Sequence, residues 1–503
     1  MPISNQKDKR FWNTEMTDLT YIEEPPLEFG KDRHPDIRYG ILNFGPFDLR
    51  NVDRRPTVIK VAIVGTPSSI ATASRWIESC KNRIERHASR KVNLFAYFPG
   101  FTKDSPFACD CVLADSLDAA VLPQDIKALE SISEYNERVR RASELFMQAL
   151  THASQKKPDV LILALPTELL AVLGEDDQDE DEESAEGNRP RVRKKASRSR
   201  WNFHDLIKAK SLRGGIPVQL LRPSTCDPKL KRQEKDAYGK GLRRQDDATC
   251  AWNFFVALYY KAGGYPWRLV RDRTDYTSCF VGISFFEALD KTRLRTSLAQ
   301  VFDERGHGMI VQGGLVAVDE TDRQPHMDAE AAYALIKNAI ENYRREHHNS
   351  PARVVIHKSS SFNTGEKDGC RKALSEFKID NVDLLNLDTS HMRLARNQYY
   401  PPLRGTCWWI DDERTLLYTN GSVQLYEEYP GLYVPRTLLI RDNGCVSDRQ
   451  KLAEEILALT KMNWNNSQIT ALQPITLRAS RQVGRIIKYV NEPEAQANYR
   501  FFM

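Results

Sequence analysis

Residues 58–65, Val-Ile-Lys-Val-Ala-Ile-Val-Gly, are apolar at nearly every position. A run this short and this continuous reads as a strand buried on both faces, which is the signature of a parallel sheet. Thr66-Pro67-Ser68-Ser69 follows as a helix start, and an amphipathic pattern runs from Ile70 to His87. The sequence then predicts a strand at 92–98 (VNLFAYF), a helix at 124–153 and a strand at 159–165 (DVLILAL). Strands alternating with helices imply an α/β, Rossmann-like layout. Gly65-Thr66-Pro67 lacks the lysine and the glycine spacing of a phosphate loop, so nucleotide hydrolysis is not expected there.

With 503 residues the chain exceeds what one core organises and suits two domains. No apolar run reaches the ~18–20 residues needed to span a bilayer, and MPISNQKDKRFW does not read as a secretory leader. No membrane association is therefore expected. Nine scattered cysteines suggest a reducing, cytoplasmic setting rather than a disulfide framework. Cys109 and Cys111 form only a CxC pair, which does not make a zinc site without a second pair. Net charge is +5, but residues 175–186 carry nine acidic side chains and 189–200 seven basic ones, which leaves +7 on the remainder. That excess is compatible with a polyanionic partner. The block at 174–200 has too few apolar residues to join a core and reads as a disordered insertion. Residues 1–56 read as a lead-in, rich in Pro and Gly from 20 onward and extended across a domain surface.

Between Trp201 and Gly264 the polar residues recur at suggestive spacings. His204 and Lys208 stand four apart in WNFHDLIKAK, hence on one helix face. Gly214-Gly215 breaks that helix, and IPVQLL (216–221) reads as a buried strand carrying one polar residue, Gln219. A second helix, Asp247 to Ala262, places Asn253, Ala257 and Lys261 on one face before Gly263-Gly264 ends it. Spacing alone favours ordinary solvated helix faces. Gathered together, these donors would suit a phosphate.

The order HxxxK, IPVQ, NxxxxxxxK-x-GG and Tyr-Pro-Trp resembles the guide 5′-phosphate pocket in the MID domain of Argonaute proteins. The likeness is to short prokaryotic Argonautes, which have MID and PIWI domains only. It implies a Rossmann-like MID domain over 57–264 and an RNase H-like PIWI domain over 265–503. His204, Lys208, Gln219, Asn253 and Lys261 would bind the guide's 5′ end, with Arg485 reaching in from a C-terminal helix. Many relatives carry a glutamine where Ala257 stands, which bears on the Mg²⁺ that the resemblance allows at the guide's 5′ end. The carboxylate of Met503 is the remaining candidate ligand. Phe501, Phe502 and Met503 would tuck between the two domains.

An RNase H-like nuclease holds two metal ions on clustered carboxylates. Slicing Argonautes place one Asp in a GxDx context on the first strand and another after the fourth, whereas here those positions are Ser284 and Ser359. A third slot near Arg478–Ser480 offers no carboxylate, and Lys358 would repel cations; Asp303 and Glu304 would not rebuild the site. The resemblance therefore implies no catalytic metal and no cleavage. It implies a guide (RNA from precedent), a complementary DNA target, and an APAZ-containing effector of TIR, Sir2 or nuclease type in prokaryotic defence. The alternative is a metal-dependent nuclease whose carboxylates have moved.

Overall fold

The computed structural model describes residues 18–51, 55–89, 92–115, 119–174, 200–227, 245–270, 277–289, 294–302, 308–395, 401–430, 434–490 and 498–503. The acidic and basic insertion (175–199), most of the basic loop at 224–246, and Asp303 and Glu304 lie outside the described residues.

The run at 58–65 is the strand β4, Val58–Val64, with Ile59 and its last four residues buried. It pairs in parallel with β5 (Asp110–Ala114) and with β6 (Val160–Ala164), and β6 pairs with β7 (Val218–Leu221). The order β5-β4-β6-β7 makes a four-stranded parallel sheet. Helices at Pro67–Ser79, Tyr135–Ser154, Phe203–Ser211 and Asp247–Lys261 supply buried faces around it. The first begins at Thr66, whose hydroxyl accepts from the Ser69 N–H while Ser69 Oγ accepts from the Thr66 N–H, a reciprocal cap. It ends at Ser79, eight residues short of His87.

VNLFAYF is not a strand. Residues 92–94 form a turn of 3-10 helix, and Phe98 makes one isolated bridge to Ile84. Its apolar residues are instead claimed by an aromatic cluster: Phe98 stacks on Phe255 at 5.4 Å and meets Trp252 edge-on at the same distance. The strand in its place is β5, whose Val112 is exposed and whose apolar run is short, so the sequence marks it weakly.

The larger sheet contains, among the described residues, eleven strands. Its centre is β9 (Ser278–Glu287), flanked in parallel by β14 (Arg353–Lys358) and in antiparallel by β10 (Leu294–Phe302). β14 continues in parallel to β15 (Asn381–Ser390). Helices Ala329–His347 and Thr364–Glu376 cover one face and Ile475–Ile487 the other. Gly308–Gln312 and Leu315–Val318 are separate strands, divided at Gly313-Gly314. Beyond β15 the sheet continues antiparallel through β18 (Thr437–Asp442) to β17 (Arg414–Leu417).

The lead-in is more embedded than an extended surface segment. Leu19–Tyr21 adds an edge strand, β1, to the large sheet against β16 (Thr406–Trp409). Leu27–Glu28 pairs with both Arg33–His34 and Arg268–Leu269. A helix at Ile37–Phe44 is capped by Asp36, whose carboxylate accepts from the Tyr39 N–H. Ile22, Leu27, Phe29, Ile37 and Ile41 are all buried. Between them Glu24 receives Arg404 Nε at 2.6 Å and Lys461 Nζ at 2.9 Å, both from fully buried side chains. Burial alone would raise the Glu24 carboxyl; the two cations outweigh it and hold it below the ordinary range.

Removing the Glu24 carboxylate would leave two buried cations without their counter-ion. Glu24→Ala is expected to cost about 3–5 kcal/mol in chemical denaturation, whereas removing the exposed Glu85–Arg83 pair should cost under about 1 kcal/mol.

Candidate nucleic-acid interface

Two helices packed on the parallel sheet bring cations inward beside the start of β7. Phe203–Ser211 is started by Asn202, whose side chain accepts from the Asp205 N–H at 2.9 Å. Its apolar stripe, Phe203, Leu206 and Ile207, packs into the core. The same winding turns Lys208 inward until it is 1% exposed. Lys261, in the last turn of Asp247–Lys261, is equally buried. Gln219 comes from β7, where the neighbouring Val218 anchors the strand.

Lys208 Nζ donates to the Val218 carbonyl and to the Met503 oxygen. Lys261 Nζ donates to Gln219 Oε1. Burial pushes Lys208 down to about 7 and Lys261 well below its ordinary value, the second helped by repulsion from the first. Two amines pressed together away from water favour the arrival of an anion. Such a site can offer charge-assisted hydrogen bonds that water does not weaken.

His204 lies one turn before Lys208, with its side chain 34% exposed. Its Nδ1 is 3.2 Å from Asp205 Oδ1. Burial lowers the imidazole and the Asp205 carboxylate partly restores it. Arg485, on Ile475–Ile487, reaches Asp205 Oδ1 at 3.6 Å. His204, Lys208, Gln219, Lys261 and Arg485 are thus gathered around one locus. Asn253 is not: it stands two turns from Lys261 on its helix, about 12 Å along the axis. Its Oδ1 accepts from the backbone and hydroxyl of Ser467, at 2.9 and 2.7 Å, and its Nδ2 donates to Gln245. Those bonds tie the helix to the loop before Ile475 and engage both polar atoms of the amide. Phe502 and Met503 are buried, and Phe501 is half-buried. The short turn they belong to touches both Asp247–Lys261 and β11 (Gly308–Gln312).

A divalent cation does not fit the donors present. Gln219 Oε1 and the Met503 oxygen are each engaged by an ammonium, and Ala257 contributes no ligand. Among the described residues no group of three His, Cys, Asp or Glu is placed to hold a metal.

Ser284 and Ser359 stand at the carboxyl ends of neighbouring parallel strands. Lys358 is in register with Ile283, and the Ser359 N–H donates to the Ile283 carbonyl at 3.1 Å. Ser284 is buried, and Ser359 half-buried. Beside them His357 is buried, with Nδ1 2.8 Å from Thr476 Oγ1, and burial takes it down to about 3. Lys358 points to the opposite face and pairs with Glu366 at 2.8 Å. Its charge is therefore neutralised there and does not project into the space between the serines. Alternation along a strand imposes this, since Lys358 and Ser359 must face opposite sides. Ala479 and Ser480, in the third expected slot, are buried on Ile475–Ile487.

No protein-family model and no curated protein matches the chain. Solved structures do. A Clostridium butyricum Argonaute bound to a guide DNA and a 19-mer target DNA superposes with a TM-score of 0.62 at 14% identity, covering 98% of this chain and 56% of that one. The fold is Argonaute-like. Aa-Ago with externally bound siRNA gives 0.58 at 14% identity (97% and 56% covered), and A. aeolicus Argonaute 0.55 at 13% (95% and 54%). The chain thus spans little more than half the length of these Argonautes. Among the described residues no helix is long and apolar enough to cross a membrane.

Two features of the locus escaped sequence reasoning. Asp205 sits among the pocket cations, but a lone acidic residue in a helix's first turn reads as a dipole or capping contribution. Tyr489 accepts the Asn202 N–H at 2.9 Å across the two sheets' territories, and no spacing links positions 287 residues apart. The buried lysine pair itself generates a prediction. Lys261→Met should stabilise the nucleic-acid-free protein by about 1–2 kcal/mol in thermal or chemical unfolding, because it removes one of two like charges from the interior.

Proposed function

We propose that this chain is the guide-dependent recognition subunit of a prokaryotic immune system, acting in the cytoplasm. It binds the 5′-phosphorylated end of a guide, RNA by precedent, and pairs the guide with complementary single-stranded DNA without cutting it. The observation that carries this reading is the buried convergence of Lys208, Lys261 and Gln219 from two helices and a strand, with His204 and Arg485 beside them. A phosphate brings negative charge to the two buried ammonium groups. Its oxygens would accept from both ammonium groups, His204 would donate a further hydrogen bond, and Arg485 would close the site from the second sheet's helix. Sequence recognition falls to base pairing, so affinity should be insensitive to guide sequence and steeply dependent on salt. The solved neighbours hold guide and target DNA in one case and siRNA in another, which supports a nucleic-acid ligand while leaving RNA for this chain as our own choice. Mg²⁺ has no step in this reading.

Absence of cutting rests on Ser284 and Ser359, which offer hydroxyls where paired carboxylates would hold metals. The second reading, a nuclease with displaced carboxylates, is favoured by no observed cluster among the described residues. A subunit that recognises without cutting needs an output, so we assign the effect to an APAZ-containing partner bearing a TIR, Sir2 or nuclease domain.

Four measurements test this. Lys208→Ala should weaken binding of a 5′-phosphorylated guide by roughly ten- to a hundredfold and leave 5′-hydroxyl guides nearly unaffected; equal wild-type affinity for the two guides would overturn the pocket. Loaded protein incubated with complementary target and Mg²⁺ or Mn²⁺ should yield no cut product, and a product removed by substituting a carboxylate would establish the nuclease reading. Sequencing the nucleic acid that copurifies decides RNA against DNA, and co-expression with the neighbouring reading frame tests the effector.

A further inference from the structure

Asp205 is an anion in a place that otherwise gathers cations. It is 3% exposed, on a helix start fixed by the bond from its backbone N–H to the Asn202 side chain at 2.9 Å. Its Oδ1 lies 3.2 Å from His204 Nδ1 and 3.6 Å from Arg485 Nη2. The first partner is its neighbour on the helix Phe203–Ser211. The second belongs to Ile475–Ile487, which packs against that helix. A phosphate-binding locus would lose electrostatic attraction by keeping a carboxylate so close, unless the carboxylate does something a neutral residue would not.

We propose that Asp205 is a positioning residue of the guide-end pocket, fixing His204 through Nδ1 so that Nε2 meets the 5′-phosphate, and holding Arg485 across the junction of the two sheets' helices. This rests on the pocket reading above. An imidazole whose Nδ1–H is donated to a carboxylate has only a lone pair left on Nε2 while it is neutral. To donate to a phosphate oxygen it must be protonated, and the Asp205 carboxylate stabilises that imidazolium. Burial, Lys208 and Arg485 all act against the imidazolium, and the Asp205 carboxylate acts in its favour. Asp205 is itself faced by His204, Arg485 and Lys488, whose combined charge outweighs its burial and keeps it ionised. Lys488 also faces Glu287. The second task follows from the same oxygen: its ion pair with Arg485 at 3.6 Å draws that guanidinium toward the helix Phe203–Ser211 before a ligand arrives, which lowers the ordering cost of binding.

The test uses the full chain and synthetic oligonucleotides bearing either a 5′-phosphate or a 5′-hydroxyl. Asp205→Asn keeps the shape and an oxygen able to accept from Nδ1–H, but removes the charge. The affinity ratio of phosphate over hydroxyl guide should fall roughly tenfold near neutral pH. It should recover at lower pH, where solvent protons charge His204 without help. The free 5′-phosphate titrates identically in both measurements, so its ionisation in solution cancels from the comparison. Combining Asp205→Asn with His204→Gln should cost less than the sum of the two, because one acts largely through the other. A ratio and pH profile unchanged by Asp205→Asn, with both guides weakened equally, would show a purely structural role and overturn the proposal. Should Asp205→Asn fail to fold, His204→Gln still decides: it must abolish the acid-side gain of phosphate preference, and a gain that persists overturns the proposal. A wild type with no phosphate preference at any pH would instead overturn the pocket itself.

Discussion

The Glu24 carboxylate, enclosed with Arg404 and Lys461, is the contact on which the arrangement of the whole chain depends. Arg404 adds bonds to the Leu457 carbonyl at 3.0 Å and the Thr460 hydroxyl at 2.8 Å, and Lys461 also donates to the Pro35 carbonyl at 3.1 Å. Three distant stretches therefore meet at one charge cluster. Replacing such a cluster with apolar side chains can be neutral, but removing one member leaves the others stranded. What the cluster adds is geometry, because a carboxylate and two cations accept few alternative arrangements. It fixes the lead-in between the two sheets, and the lead-in carries Asp36, which receives the Tyr426 hydroxyl, and Arg38, which donates to the Leu94 carbonyl. Around that frame the helix Phe203–Ser211 presents Lys208, β7 presents Gln219, and the helix Ile475–Ile487 presents Arg485 to the same locus.

The frame and the locus differ in how far composition and spacing reveal them. Strands buried on both faces, such as Val58–Val64 and Val160–Ala164, announce themselves as apolar runs, since no solvent-facing alternation dilutes the pattern. The helix Asp247–Lys261, capped by Asp246, is legible to within a residue. VNLFAYF misleads because its aromatic residues fill a cluster around Trp252 and Phe255, a use of apolar surface that needs no strand. The Ile37–Phe44 helix was obscured by the Pro- and Gly-rich residues around it, and β15 by the polar residues at its ends.

At the locus, the His204/Lys208 and Asn253/Lys261 spacings place side chains on a face but do not say which face turns inward. Lys208 and Lys261 turn inward because the apolar stripes beside them do. Asn253, on the same stripe as Lys261, is drawn off by Ser467, a residue 214 positions away. The Asp205–Arg485 contact is equally invisible from one dimension, since each residue is ordinary in its own helix. The comparisons establish the fold, and the residues within it carry the functional argument.

The pairing of the lead-in has a temporal side. Glu24 and Arg404 are 380 positions apart, so a ribosome adding about 5–20 residues per second needs roughly 20–75 s between delivering the first and delivering the second. Throughout that interval Ile22, Leu27 and Phe29 have been synthesised without the surface that will cover them. The parallel sheet can assemble early from its own nearby strands, whereas the oldest part of the chain settles among the last. Synthesis thus runs in one direction and consolidation partly in the other, and a nascent chain stalled anywhere before residue 404 would carry an adhesive, uncovered N-terminal stretch.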